Sequence, residues 1–173
     1  TGLDYLNNMR TAVCCLGSVN LEFAHEFMHN DQFWEDVFEA LDNILDIFIA
    51  DAPEFMKNAV YSAMRERSIG LGFMGWHDFL QQRGIPFESV KAMAWARRID
   101  NIMRAQADRV SYKLAQERGP CPDAADAGVM ERFACKLSIA PTASISLIAG
   151  GVSPGCETKS ANVFLQKTNA GSI

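Results

Sequence analysis

Apolar positions along this chain recur with two different periods. From Asp31 onward, Trp34, Val37, Phe38, Leu41, Ile44, Leu45 and Phe48 fall at steps of three and four. That spacing predicts a helix capped by Asp31, with one apolar stripe. Pro53 suits the first turn of a second helix reaching about Arg67. A short helix is expected over 76–83, ended by Gly84. The longest covers about 88–118, striped by Trp95, Ile99, Ile102, Met103, Val110 and Leu114 and stopped by Gly119-Pro120. Residues 11–20 are β-branched and small, and read as a buried strand. Residues 68–75 form a short apolar, glycine-rich segment. A helical patch is expected near 126–133, then strands over 136–140 and 162–166, with a loop rich in small hydroxyl residues between the strands. Strands separated by substantial helices favour an α/β architecture with parallel strands. Three strands are too few for a closed barrel or a full sheet.

Composition narrows the class. The 173 residues are 49% hydrophobic, far above what a disordered chain carries, and the net charge is -5 with no long single-sign run. Nothing forms the basic footprint of a nucleic-acid binder. Charges interrupt every apolar stretch well short of a membrane span, and no secretory leader pattern opens the chain. A cytoplasmic protein is expected, without membrane or nucleic-acid partners. The first residue is Thr1 and the last, Ile173, follows a Gly-Ser pair, so a piece of a longer protein is expected.

Five cysteines, Cys14, Cys15, Cys121, Cys135 and Cys156, are irregularly spaced with no C-x-x-C. His25-Glu26-Phe27-Met28-His29 matches H-E-x-x-H as a string, but Asn30-Asp31 interrupts the helix it would need, and a polar surface helix is the better reading. Gly70-Leu71-Gly72-Phe73-Met74-Gly75 matches the dinucleotide string G-x-G-x-x-G. Charged residues precede it where a buried strand should stand, and about 20 residues on, where an acid should close a second strand, lies the long helix. A glycine-rich strand or turn allowing close helix packing accounts for it better. Pro141-Thr142-Ala143-Ser144-Ile145-Ser146 offers hydroxyls and successive amides near a helix start, either a phosphate cradle or an ordinary helix cap. Cys14 and Cys15, adjacent on a strand, must face opposite sides. A redox role for one of them needs a second cysteine across the site.

In combination these segments are far more specific. Ala12-Val13-Cys14-Cys15-Leu16-Gly17-Ser18-Val19-Asn20-Leu21 resembles the Cys-x-Leu-[Ser/Gly]-Ser-x-Asn-Leu strand of ribonucleotide reductase large subunits. The run from Arg65 through Gly70-Leu71-Gly72-Phe73-Met74-Gly75 to His77 is similar to that family's arginine-rich Gly-Leu-Gly-x-Met-Gly segment. Pro141 to Ser146 resembles its substrate-phosphate loop, and Asn162 to Thr168 continues the likeness. Ser153-Pro154-Gly155-Cys156-Glu157 departs from the family's Gly-Ile-Glu-Pro, and Cys156 is given no role.

The resemblance implies a ten-stranded α/β barrel of which residues 1–173 are an internal segment, with no complete second domain. It implies reduction of ribonucleoside diphosphates to deoxyribonucleotides by thiyl-radical chemistry, with a cysteine pair as reductant. Cys14 matches the second cysteine of that pair, and Thr142, Ala143, Ser144 and Ile145 match the loop that holds substrate phosphates. The finger-loop motif Asn-x-Cys-x-Glu does not occur in the chain, so this stretch by itself is expected to be inactive. Implied partners are the remainder of the alpha subunit, an alpha homodimer, a small radical-generating beta subunit carrying a di-metal radical cofactor, and thioredoxin or glutaredoxin. An aerobic class I enzyme fits best and adenosylcobalamin less well; no cofactor is expected on this chain. The alternative is a nucleotide-phosphate-binding module or split-subunit assembly partner without its own catalysis.

Overall fold

In a computed structural model of the protein, residues 2–159 are described, together with 161, 163, 167–168 and 171–172. A small antiparallel pair, β1 (Gly2–Leu3) and β2 (Met9–Arg10), leads into β3 (Cys15–Asn20). A 3-10 turn and the short α1 (Ala24–Phe27) follow, then α2 (Asp31–Asp51). Asn30, rather than Asp31, caps α2, its side-chain oxygen accepting from the Phe33 amide at 3.3 Å. Pro53 opens a 3-10 turn, Glu54–Met56, that runs into α3 (Lys57–Glu66). Then come β4 (Ile69–Met74), α4 (Trp76–Gln82) and α5 (Val90–Arg118), the last capped by Ser89 Oγ accepting from the Ala92 amide.

The glycine-rich stretch, read from sequence as a strand or a turn, is a strand, and the central one. β3 and β4 pair in parallel from Cys15 opposite Ile69 to Asn20 opposite Met74. On the far side of β4 the strand expected over 136–140 shrinks to one parallel bridge, Leu71 with Leu137. There the Ile69 and Leu71 amides, two residues apart, donate to the successive carbonyls of Cys135 and Lys136, which bulges the ladder. The helical patch lies earlier than expected, as α6 (Pro122–Asp126): Pro122 starts it and Gly128, at φ +71°, turns the chain out of it. Beyond Ser144 the short α7 (Ile145–Ile148) adds a turn of helix. The strand expected over 162–166 lies outside the described residues except for Val163; beyond it, β5 (Lys167–Thr168) pairs with β6 (Gly171–Ser172).

Helices cover one face of the parallel strands. Trp34, Phe38 and Leu41 of α2 join Ile69 and Leu71 of β4, and Ile99, Met103, Val110 and Leu114 of α5, in one core. Ile44 faces out, half exposed, while Asp42 takes a fully buried place among these residues. Its carboxylate accepts from Arg67 (Nε, 2.9 Å), Arg118 (Nη1, 3.0 Å) and Arg132 (Nε, 3.1 Å). Arg132 also donates to the Arg118 and Gly119 carbonyls, closing the end of α5. A single carboxylate therefore ties α2 to the ends of α3 and α5. It holds Arg67 in the left-handed region, φ +44°, where the chain turns into β4.

Candidate active site

The uncovered face of the strands carries the chemistry. Cys14 stands one residue before β3 with its side chain on this face, beside Gly70. A Cβ added to Gly70 would lie 3.3 Å from Cys14 Sγ, 2.6 Å from Leu16 Cδ2 and 2.8 Å from Ser138 Cβ. A Cβ on Gly72 would lie 2.2 Å from the Ser138 carbonyl oxygen. The two glycines thus clear space for a neighbouring strand and for the cysteine, not for a helix or a pyrophosphate. Gly75, at φ +76°, sits at the strand-to-helix turn. Cys15 points the other way and packs against the core, as the alternation requires.

Cys14 lines an open cavity of about 430 Å³ with Val13, Glu66, Ser68, Cys135 and Ser138. Burial, then the neighbouring Cys135 and Cys15 sulfurs, push its thiol pKa above the usual 9.0. Near neutral pH the group is therefore a protonated thiol, a donor of hydrogen rather than a standing nucleophile.

Three residues past Ser138, about 10 Å along an extended chain, the 141–146 turn begins. Thr142 is buried and left-handed, φ +54°, and its hydroxyl accepts from the Gly155 amide at 2.8 Å. That hydroxyl shapes the turn from within. Ala143, Ser144 and Ile145 are exposed, and their backbone amides make no hydrogen bond among the described residues. The Ser146 amide donates to the Thr142 carbonyl and its hydroxyl to the Ala143 carbonyl, folding the turn so that three free amides follow one another. Such a run of donors suits an anion.

The turn is pinned to the sheet by residues that sequence reading passed over. Asn20, at the end of β3, donates to the Ala149 carbonyl at 3.4 Å. Gly75 donates to the Ser153 carbonyl at 2.7 Å, His77 N–H to Ser153 Oγ at 3.0 Å, and Ser153 N–H to Asp78 Oδ2 at 2.7 Å. Lys159 pairs with Asp78, and its amide donates to His77 Nδ1 at 3.1 Å. Burial alone would raise the Asp78 carboxyl, but the Lys159 ammonium and the Ser153 amide outweigh it and hold it below the usual range. Nothing in the local sequence around His77 and Asp78 marks this anchor; only the downstream Ser153 reveals it. His25 and His29 are exposed, and α1 ends before His29, so no histidine pair shares a helix. Cys156 is exposed on the loop.

Helix-backed parallel strands, with a thiol on the uncovered face and a donor-lined turn beyond their ends, form an α/β unit. Residues 3–127 match the family model described as ribonucleotide reductase, barrel domain. The chain belongs to that family. It is 46% identical, over 96% of its length, to the ribonucleoside-diphosphate reductase large subunit of Invertebrate iridescent virus 6, and spans 17% of that protein. It is 34% identical, over 82% of its length, to the vitamin B12-dependent ribonucleoside-diphosphate reductase of Mycobacterium tuberculosis, spanning 22% of it. Its fold matches the class Id ribonucleotide reductase alpha subunit of Actinobacillus ureae with a TM-score of 0.83 and 34% identity, covering 88% of this chain and 29% of that one. The structure is accordingly part of the ribonucleotide reductase type of barrel.

Proposed function

We propose that this chain forms the wall of a ribonucleotide reductase active site that carries one reducing cysteine and the substrate-phosphate turn. The observation that supports it most is the Cys14 sulfur on the uncovered face, over Gly70, a short strand's length from the free amides of Ala143 to Ile145. The substrate is a ribonucleoside diphosphate. Its phosphates accept from those amides and from the Ser144 hydroxyl, which orients the ribose over the sheet. Cys14 and a second cysteine elsewhere in the large subunit then give up two hydrogens. The ribose 2′ carbon–oxygen bond breaks, a carbon–hydrogen bond forms, water leaves, and the two sulfurs join as a disulfide. The thiyl cysteine and its acid–base glutamate belong to the rest of the alpha subunit.

Among the described residues no group of three or more His, Cys, Asp or Glu is placed to hold a metal ion. In this reading the radical originates at a di-metal centre in a small beta subunit docked on an alpha homodimer. Greater identity to the viral large subunit than to the vitamin B12-dependent enzyme supports that assignment over adenosylcobalamin. Thioredoxin or glutaredoxin regenerates the thiols, in the cytoplasm, where such reductants keep cysteines reduced. No described helix is long and apolar enough to cross a membrane.

The test is a pair of variants in the complete large subunit. Cys14→Ser abolishes even single-turnover formation of deoxyribonucleotide, because the one remaining thiol supplies only one of the two hydrogens and no disulfide can close. Cys15→Ser, packed on the opposite face, sustains many turnovers. Equal loss of deoxyribonucleotide formation in both would overturn the assignment.

A further inference from the structure

Two serine hydroxyls line the Cys14 cavity, and only one of them has a partner. Ser68 Oγ donates to Glu66 Oε2 at 3.1 Å. The exposed Ser138 hydroxyl makes no hydrogen bond among the described residues, although its backbone is fixed. The Ser138 amide donates to the Leu71 carbonyl at 3.2 Å, and its own carbonyl oxygen crowds Gly72. Cys14 and Ser138 belong to segments on opposite flanks of β4, with Gly70 between them on the uncovered face. Glycine brings no side chain, so both neighbours lean over it. The place of a Gly70 Cβ is 3.3 Å from Cys14 Sγ and 2.8 Å from Ser138 Cβ. Those two atoms are therefore at most about 6 Å apart, the reach of two hydrogen bonds meeting at one oxygen. Leu16 Cδ2, 2.6 Å from the same place, gives this seat an apolar wall.

We propose that the Ser138 hydroxyl is a substrate contact: it donates to the ribose 2′-hydroxyl and, with Cys14 Sγ, holds that oxygen above Gly70. This contact rests on the reductase reading and names the group that tells substrate from product. The carbon that Cys14 reduces is the one bearing this oxygen, so the hydroxyl nearest the thiol is the 2′ one. The sugar lies within reach, because the segment carrying Ser138 runs three residues on into the 141–146 turn that takes the phosphates. Ser68 does not serve in its place, since its hydroxyl hydrogen is already given to Glu66. The product lacks the 2′ oxygen and leaves the Ser138 hydroxyl unpaired. A site built to bond a hydroxyl rejects the analogue without it, and product therefore yields to fresh substrate.

The experiment measures binding to the complete large subunit, with the radical-generating subunit left out so that no reaction occurs. Cytidine diphosphate and 2′-deoxycytidine diphosphate are titrated against the wild type and Ser138→Ala by equilibrium dialysis. In the variant the ribonucleotide binds about 3- to 10-fold more weakly, the worth of one neutral hydrogen bond, and the deoxyribonucleotide stays within about twofold. Retained affinity for the deoxyribonucleotide shows at the same time that the variant folds. A merely structural role for Ser138 would weaken both ligands alike. Equal weakening of both, or an unchanged ribonucleotide affinity, overturns the contact while the reductase reading stands. Failure of that reading looks different: the wild type binds neither nucleotide, and the contact falls with it.

Discussion

Replacing Gly72 by alanine drives a methyl group into the backbone of the neighbouring segment. The new Cβ would lie 2.2 Å from the Ser138 oxygen, 3.0 Å from Ile139 Cα and 3.1 Å from the Ser138 carbonyl carbon. None of these is the end of a flexible side chain, so the 138–139 backbone must retreat by about 1 Å. Overpacking of this kind costs typically about 1–3 kcal/mol. Lower unfolded-chain entropy returns about 0.4–1 kcal/mol when glycine becomes alanine. With the cost at the upper end, because backbone is what must move, the net loss is about 2 kcal/mol, or about 30-fold in an opening equilibrium. Amide hydrogen exchange in the complete large subunit reads this locally. The Leu71 amide, bonded to the Lys136 carbonyl, and the Ser138 amide, bonded to the Leu71 carbonyl, report the pairing that is lost. Two controls calibrate it. Gly2→Ala meets nothing within 4 Å, and Gly17→Ala meets only side-chain ends, Leu41 Cδ2 at 3.3 Å, Leu71 Cδ1 at 3.5 Å and Leu41 Cδ1 at 3.6 Å, which can shift. Turnover falls as well if the 141–146 turn holds phosphate as proposed, because Ser138 leads into it and a 1 Å misplacement can cost about 100-fold in rate. Exchange at Leu71 and Ser138 in Gly72→Ala that is indistinguishable from Gly2→Ala would refute the close-approach argument.

Asp42→Ala strips a buried carboxylate from three arginines and should destabilise by about 3–5 kcal/mol, seen as a lower thermal midpoint; an unchanged midpoint would deny the cluster its tying role. Thr142→Ala leaves the Gly155 amide without its acceptor, at about 1–3 kcal/mol. Protease sensitivity near 142–155 should rise in this variant, and Thr142→Ser should restore the wild-type pattern. Acid should free the same turn through Asp78. Its folded-state pKa is depressed, so its stabilisation is present above the unfolded carboxylate pKa and is lost as pH falls through the folded value. Exchange of the Ser153 amide should therefore accelerate below about pH 4, and Asp78→Asn should flatten that dependence; a wild-type profile in the variant would sink the linkage.

Much of this protein was written locally. The three-and-four spacing through Trp34, Phe38, Leu41 and Leu45, and through Ile99, Met103, Val110 and Leu114, located α2 and α5, because one buried stripe suffices to mark an amphipathic helix. Strand alternation placed Cys14 and Cys15 on opposite faces, with no tertiary information needed. The motif order alone led to the ribonucleotide reductase family that the comparisons show.

What the chain kept hidden depends on partners far away in sequence. β4 reads as a poor strand because glycine contributes no β propensity, and its glycines make sense only once Ser138 and Leu16 crowd against them. Asp42 looks like a polar interruption of a helix stripe until Arg67, Arg118 and Arg132 converge on it. The Thr142 hydroxyl accepts from the Gly155 amide, thirteen residues on, and His77 and Asp78 anchor a turn more than 70 residues downstream. Cys135, 121 positions after Cys14 in the chain, becomes its neighbour only because β4 runs between them. Periodicity records which face of an element is buried; which residues meet across a sheet is decided by long-range pairing, and that the tertiary structure alone supplies.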